Sequence, residues 1–188
     1  MKKGLIVLGI IIFILFLIGG RLINGLNFVV RLDETVNSSW AQVENQLQRR
    51  NDLIPNLVNT VKGYAEQEKS LLTRVTELRS QWGKAATQQE KMGIANQMGS
   101  ALSRLLLVSE NYPQLKSNQN FLALQSQLEG TENRISVERM RYNNTVKQFN
   151  SYIRSVFGSF FASMKGLNNP RKYFEISEQA KEVPKVQF

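Results

Sequence analysis

Cysteine and histidine are both absent from the chain. Without cysteine there is no disulfide, no thiolate nucleophile and no thiolate metal site. Without histidine the commonest general base and the commonest metal ligand are gone. Ser-His-Asp triads, Cys-His pairs and the usual zinc sites are therefore excluded. The glycine spacings of a P-loop or a dinucleotide-binding turn are missing as well. Most hydrolases and nucleotide enzymes drop out on these grounds. No stretch alternates apolar and polar residues as a half-buried strand does. What is present is a helical pattern with a net charge of +9. That balance suits anionic partners such as lipid headgroups or nucleic acid, or simply a solvated basic surface. The lysines and arginines are spread along the helical stretches, with no dense basic run interleaved with aromatics, which disfavours nucleic acid.

Charge is also missing near the start, in MKKGLIVLGIIIFILFLIGGR. Leu5 to Ile18 carries no polar side chain, and from Gly4 to Ile23 only Arg21 is charged. Twenty helical residues span roughly 30 Å, one bilayer core. A cleaved signal peptide has the same basic start and apolar middle, but needs small residues at alternate positions before its cut. Here Gly20 could precede a cut, yet Ile18 stands two places before it. Apolar character then resumes at Leu22, Ile23, Leu26, Phe28 and Val29. The expectation is an uncleaved anchor over residues 1–23, in the inner (cell) membrane. Lys2, Lys3 and the terminal amine precede the span; Arg21 and Arg31 follow it. Positive residues prefer the cytoplasm, so the count places the soluble domain outside it, in the periplasm.

Beyond the anchor the pattern is helical throughout. Leu22, Val29, Val36 and Val43 recur every seven residues, as do Leu26, Asp33, Trp40 and Leu47. Ile54, Val61, Glu68, Val75 and Trp82 form one later row; Leu57, Tyr64, Leu71 and Leu78 form the other. GKAATQQEK is a turn, with Thr87 placed to cap the next helix. Met92, Ala95, Met98, Leu102 and Leu105 carry that helix, which ends near Pro113. Phe121 through Val156 carries a long last one.

The stretch QLQRRNDLIPNLV (Gln46 to Val58) admits two readings. As a turn, Asp52 caps a new helix, Pro55 sits in its first turn, and Arg49 and Arg50 end the preceding helix. As a continuous helix, Pro55 forfeits the bond to Asn51 at a cost of ~3 kcal/mol. The seven-residue phase nevertheless passes through without a slip, with Arg50 in a seam position. The turn is the expectation, because it yields four helices that can close a core. The fold class is then all-α: an N-terminal transmembrane helix followed by an antiparallel four-helix bundle. The bundle occupies 24–157 and a membrane-proximal tail 158–188.

The blocks WAQVENQLQRRNDLIPNLVNTVKGYAEQE, FLALQSQLEGTENRISVERMRYNNTVKQFN and PRKYFE…VPKVQF resemble the LemA family over nearly all of the chain after the anchor. The matching positions are Gln46, Arg49, Arg50, Asp52, Pro55 and Asn56, then Glu129 to Arg134, Arg139, Tyr142 and Asn143. Asn51 stands where an aromatic is common, and Gly158 where a proline is common. The resemblance implies a bacterial single-span membrane protein with a helical-bundle domain and no established activity. Magnetosome-associated members imply a role in membrane organisation, and neighbouring genes for membrane proteases imply partners.

Two groups of residues are candidate contacts. Arg49, Arg50 and Asp52, with Glu129, Gly130, Glu132, Asn133 and Arg134, are read as partner or subunit contacts. Gly130 inside an apolar helix costs ~1 kcal/mol against alanine, which implies a close backbone approach, either by a partner or by a crossing helix of the bundle. Phe157, Phe160, Phe161 and Lys165 are read as a membrane-interface contact, against packing on the lower end of the bundle. Asp33, Glu68 and Glu138 occupy seam positions in one layer of a four-helix arrangement. Three carboxylates there could hold a hard cation, or pair with Arg74, Arg134, Arg139 or Lys91. No catalytic, cofactor or metal site is assigned. The function expected is a non-catalytic, self-associating scaffold that organises membrane or partner proteins. Its partners are the lipid bilayer and other copies of itself, with no nucleic acid. The alternatives are an adaptor or chaperone for a membrane protease, and a carboxylate-metal enzyme.

Overall fold

The structure is a computed structural model that describes residues 2–175; the remainder of the expected tail, 176–188, lies outside the described residues. Six α-helices occur among the described residues: α1 Lys2–Lys62, α2 Lys69–Lys84, α3 Gln88–Ser109, α4 Pro113–Lys116, α5 Gln119–Ile153 and α6 Val156–Met164. No strand occurs among the described residues. The all-helical expectation holds.

The expected reversal at Arg49–Asp52 does not. Helix α1 runs unbroken through it for 61 residues, with Pro55 inside. The reversal comes later, at Gly63–Ala65 and a 3-10 turn, Glu66–Glu68. The physical reason lies in how the proline's defect is repaired. Pro55 has no N–H to give the carbonyl of Asn51, and that carbonyl instead accepts from Arg79 Nε of α2 at 3.2 Å. Asp52 caps nothing; it is exposed and accepts from Gln48 one turn earlier at 2.7 Å. The uninterrupted seam carries the rest. Val43, Leu47, Ile54 and Leu57 are at most 1% exposed and Arg50 is 3% exposed, so breaking the helix would uncover all of them.

The chain divides into two compact units. The first combines residues 2–40 with Arg141–Tyr173. Within it, α1 and the end of α5 run antiparallel. Phe28 meets Tyr152 edge-on at 4.8 Å, and Trp40 meets Tyr142 at 5.6 Å. The hydroxyls of Ser39 and Thr145 lie 3.0 Å apart. Val29, Val36, Val146 and Phe149 fill the space between. After α5, Ser155 caps α6 by accepting from the Gly158 N–H at 3.1 Å. Gly158 is required there, because a Cβ would lie 1.9 Å from the Tyr152 carbonyl oxygen. Gly166, at φ +68°, ends α6: Leu167 N–H bonds Ala162 O and Gly166 N–H bonds Ser163 O, closing the last turn. An extended segment follows. Asn150 grips the backbone of Arg171 in both directions at 2.8 Å, and Tyr142 donates to Lys172 O at 2.9 Å.

The second unit combines Ala41–Met140 with Phe174 and Glu175. One core joins Ile54, Leu57 and Val61 of α1, Val75 and Leu78 of α2, Met98 and Leu105 of α3, and Phe121 and Leu128 of α5. Leu115 of α4 closes it. The α2–α3 turn follows the expected capping logic. Thr87 accepts from Glu90 N–H at 3.2 Å while Glu90 accepts from Thr87 N–H at 3.1 Å and Ala86 N–H at 3.0 Å. These backbone donors hold the Glu90 carboxyl below its usual range. Here too α1 and α5 are antiparallel, with Arg50 paired to Glu132 and Asn118 donating to Tyr64.

The expected boundary between residues 157 and 158 falls inside α6, and α1 continues past the expected end of the anchor at residue 23 without interruption.

Candidate functional site

The membrane-side candidates lie in the first unit. Within α1 every described large apolar side chain from Ile6 to Ile18 is exposed, Phe16 by 77%. The helix is long and apolar enough to cross a membrane. Just past that run, Gly25 receives the ring of Phe161. A Cβ at Gly25 would lie 2.3 Å from the ring, so the glycine creates the seat on which α6 rests. Phe161 and Ala162 face inward. Phe161, expected at the membrane interface, is thus the dock that holds α6 to α1. The opposite side of α6 is apolar and open: Val156 is 85% exposed, Phe157 76%, Met164 60% and Phe160 54%. Lys165 is exposed at the helix end. Three of the four expected interface residues therefore stand on the surface. Val156 and Met164 extend the patch to a full face of the helix.

The other candidates lie in the second unit, where the structure brings only Arg50 and Glu132 together. Arg50 Nη1 donates to Glu132 Oε2 at 2.9 Å, and Nη2 donates to the Ala95 carbonyl at 2.9 Å. Burial pulls the Arg50 guanidinium below its ordinary value; Glu132 opposes that and Arg139 adds to it. Arg49, Asp52, Glu129, Asn133 and Arg134 are exposed. Glu129 accepts from Gln125 at 3.0 Å. No crossing helix of the bundle approaches Gly130: no atom of the described residues lies within 4 Å of where its Cβ would be.

Around the Arg50–Glu132 pair is a cleft of about 310 Å³, lined by Leu47, Ile135 and Phe174 on its apolar side. Its polar lining includes Asn96, Ser100, Ser103 and Arg139. Arg139 stacks over the Phe174 ring at 4.3 Å and donates to the Glu175 carbonyl, which also accepts from Asn96. Burial lowers the Arg139 pKa, opposed by the Glu132 charge. Sequence reasoning did not single out this cleft. Its signal was a face of small residues on α3, with Ala95, Gly99 and Ser103 one turn apart, opposite an arginine in a seam.

The candidate acidic layer draws on both units: Asp33 belongs to the first, Glu68 and Glu138 to the second. No group of three metal-ligating side chains occurs among the described residues. Asp33 instead takes Arg171, with Nε at 3.1 Å and a terminal nitrogen at 2.5 Å. Glu68 falls in the 3-10 turn, because the layer was counted from a reversal that is not there. Lys91 pairs with Glu44 and lies over Trp82.

The LemA family profile matches residues 39–188, and the chain belongs to the LemA family. Two similar proteins are magnetosome proteins MamQ 1 and MamQ 2 of Paramagnetospirillum magneticum. Each is 25% identical over 175 aligned positions, covering 79% of this chain and 64% of the relative. Magnetosome protein MamQ of Magnetospirillum gryphiswaldense is 23% identical with the same coverage. The chain thus spans less than two thirds of the length of these relatives.

Proposed function

We propose that this member of the LemA family is a non-catalytic, single-pass membrane protein whose helical domain sits on the bilayer surface and self-associates into a scaffold. The observation that carries the reading is the seat of α6. Phe161 packs on Gly25, just beyond the apolar run of α1, and this leaves Val156, Phe157, Phe160 and Met164 exposed beside the end of the span. An apolar helix face beside a membrane helix, with a lysine at its end, is the arrangement of an interfacial contact. The anchor alone leaves a domain free to tilt; a second contact fixes its orientation.

In this reading α1, α2, α3 and α5 act as an antiparallel four-helix bundle held outside the cytoplasm. Copies anchored in one plane with one orientation gain effective concentration and lose less rotational freedom on association. They present the same side surfaces to their neighbours, so a repeated heterologous contact closes into a ring or extends as an array. Relatives named as magnetosome proteins support a role in organising membrane. Light scattering of the full-length protein in mild detergent tests the reading. A discrete multimer at micromolar concentration is the expected result, and a monomer would defeat it.

A further inference from the structure

The cleft around Arg50 has features that packing alone does not explain. A side chain that is 4% exposed normally spends all its donors. Arg50 spends two, on Glu132 and Ala95, while its buried Nε–H has no acceptor among the described residues. Its ion-pair partner does not neutralise it from within, since the Glu132 side chain is 54% exposed. Arg139 brings a second guanidinium to the same walls, so the lining carries two positive charges and one negative.

The helix opposite keeps the space open. Ala95, Gly99 and Ser103 follow one another at single turns on α3. Small faces usually exist so that helices can touch. Here a Cβ on Gly99 would come no closer than 3.7 Å to Arg50 Nη1, which is ordinary contact. Alanine would fit, so the glycine is not required by close packing, and the small face leaves a cleft of about 310 Å³. That volume is at the lower end for small-molecule sites. Leu47 and Ile135 supply an apolar wall, and Ser100 and Ser103 supply hydroxyls at the rim.

We infer that this cleft binds a small organic anion, with its carboxylate or phosphate group against Arg50 and Arg139 and its apolar part on Leu47 and Ile135. Two guanidiniums, one of them buried and short of an acceptor, form the charge-assisted donors that oxyanions select. The occupant supplies the acceptor that Arg50 lacks and balances the charge that Glu132 leaves over. Nothing in this role requires bond-making, so the site is compatible with a non-catalytic scaffold and does not depend on it.

The test uses full-length protein in mild detergent, with benzoate and phenyl phosphate as probes against chloride at equal ionic strength. With a dissociation constant on the order of 1 mM, 10 mM probe raises the unfolding midpoint by about 3 °C. Arg139→Gln should cut the rise to below a third. Ser103→Glu, at an exposed rim position, should do the same by repulsion while leaving the fold intact. Lys116→Gln, outside the cleft, should keep the full rise. No rise with either probe, or equal rises in all four proteins, would overturn the assignment.

Discussion

Pro55 lies mid-helix because Arg79 covers the carbonyl it leaves bare, and this account can be tested by a double-mutant cycle. Arg79→Met keeps most of the side chain's length and removes the donor to Asn51 O, 3.2 Å away. Hydrogen bonds to charged groups contribute about 1.5–3 kcal/mol. The Arg79 side chain is partly exposed and the bond is long, so the expected loss is at the low end, about 1–1.5 kcal/mol. Pro55→Ala restores the N–H and removes the ring clash, for which about 3 kcal/mol is the full helix-interior figure. Lost contacts of the half-buried ring offset part of this, so a net gain of about 1–2 kcal/mol is expected. In the Pro55→Ala background the Asn51 carbonyl already has a helical donor, and Arg79→Met should then cost only about 0.5 kcal/mol. It does not fall to zero, since a carbonyl can accept two bonds. Urea unfolding of the full-length protein in mild detergent, followed by helical circular dichroism, reads all four corners of the cycle. Each 1 kcal/mol corresponds to about 2–4 °C in a parallel thermal melt for a chain of this size. Equal costs of Arg79→Met in both backgrounds would refute the reasoning, as would a Pro55→Ala variant less stable than the parent.

Three further outcomes follow from the geometry. Gly158→Ala forces a Cβ to within 1.9 Å of the Tyr152 carbonyl, so α6 must shift off its seat; a loss of about 1–3 kcal/mol is expected, with faster proteolysis at Ser155–Phe157. Asp33→Asn removes the charge that holds Arg171 and should cost about 1–2 kcal/mol by urea unfolding; an unchanged midpoint would show that Asn150 and Tyr142 hold the extended segment alone. Glu90 has a folded pKa below its unfolded one, so its capping contribution is present above about pH 4.3 and fades as pH falls through the lower folded value. Glu90→Gln should flatten that part of the stability profile, and an unchanged acid limb would disprove the assignment.

Much of the helix layout was legible because burial writes a period into the sequence. The rows through Val29, Val36 and Val43, and through Trp40, Leu47 and Ile54, are the buried faces of α1. Thr87 was legible as a cap because its chemistry is local. Pro55 misled for the opposite reason: its repair comes from Arg79, 28 residues beyond the Asn51 carbonyl that it covers. The unbroken phase through Arg50 was the better guide, since a real turn has no reason to preserve it. The register of Asp33, Glu68 and Glu138 was counted from that reversal, and the unbroken helix removes the basis of the count. Of the aromatic cluster, composition showed an apolar patch but not which ring faced inward. That depended on Gly25, 136 residues from Phe161 in sequence, leaving room for the ring. The Arg50 cleft needed distant segments placed together: α1, the small face of α3, and the middle of α5 with Phe174.

The central claim is that α6 rests in the bilayer surface beside α1, and its depth can be measured directly. The chain has no cysteine, so single cysteines at Phe157 and Phe160, and at Ser103 as an aqueous reference, can each carry a nitroxide. In liposomes, power-saturation electron paramagnetic resonance compares access to oxygen, which concentrates in lipid, with access to a water-soluble nickel chelate. The account predicts that labels at 157 and 160 favour oxygen while the label at 103 favours nickel. Labels at 157 and 160 that are as nickel-accessible as the one at 103 would contradict it.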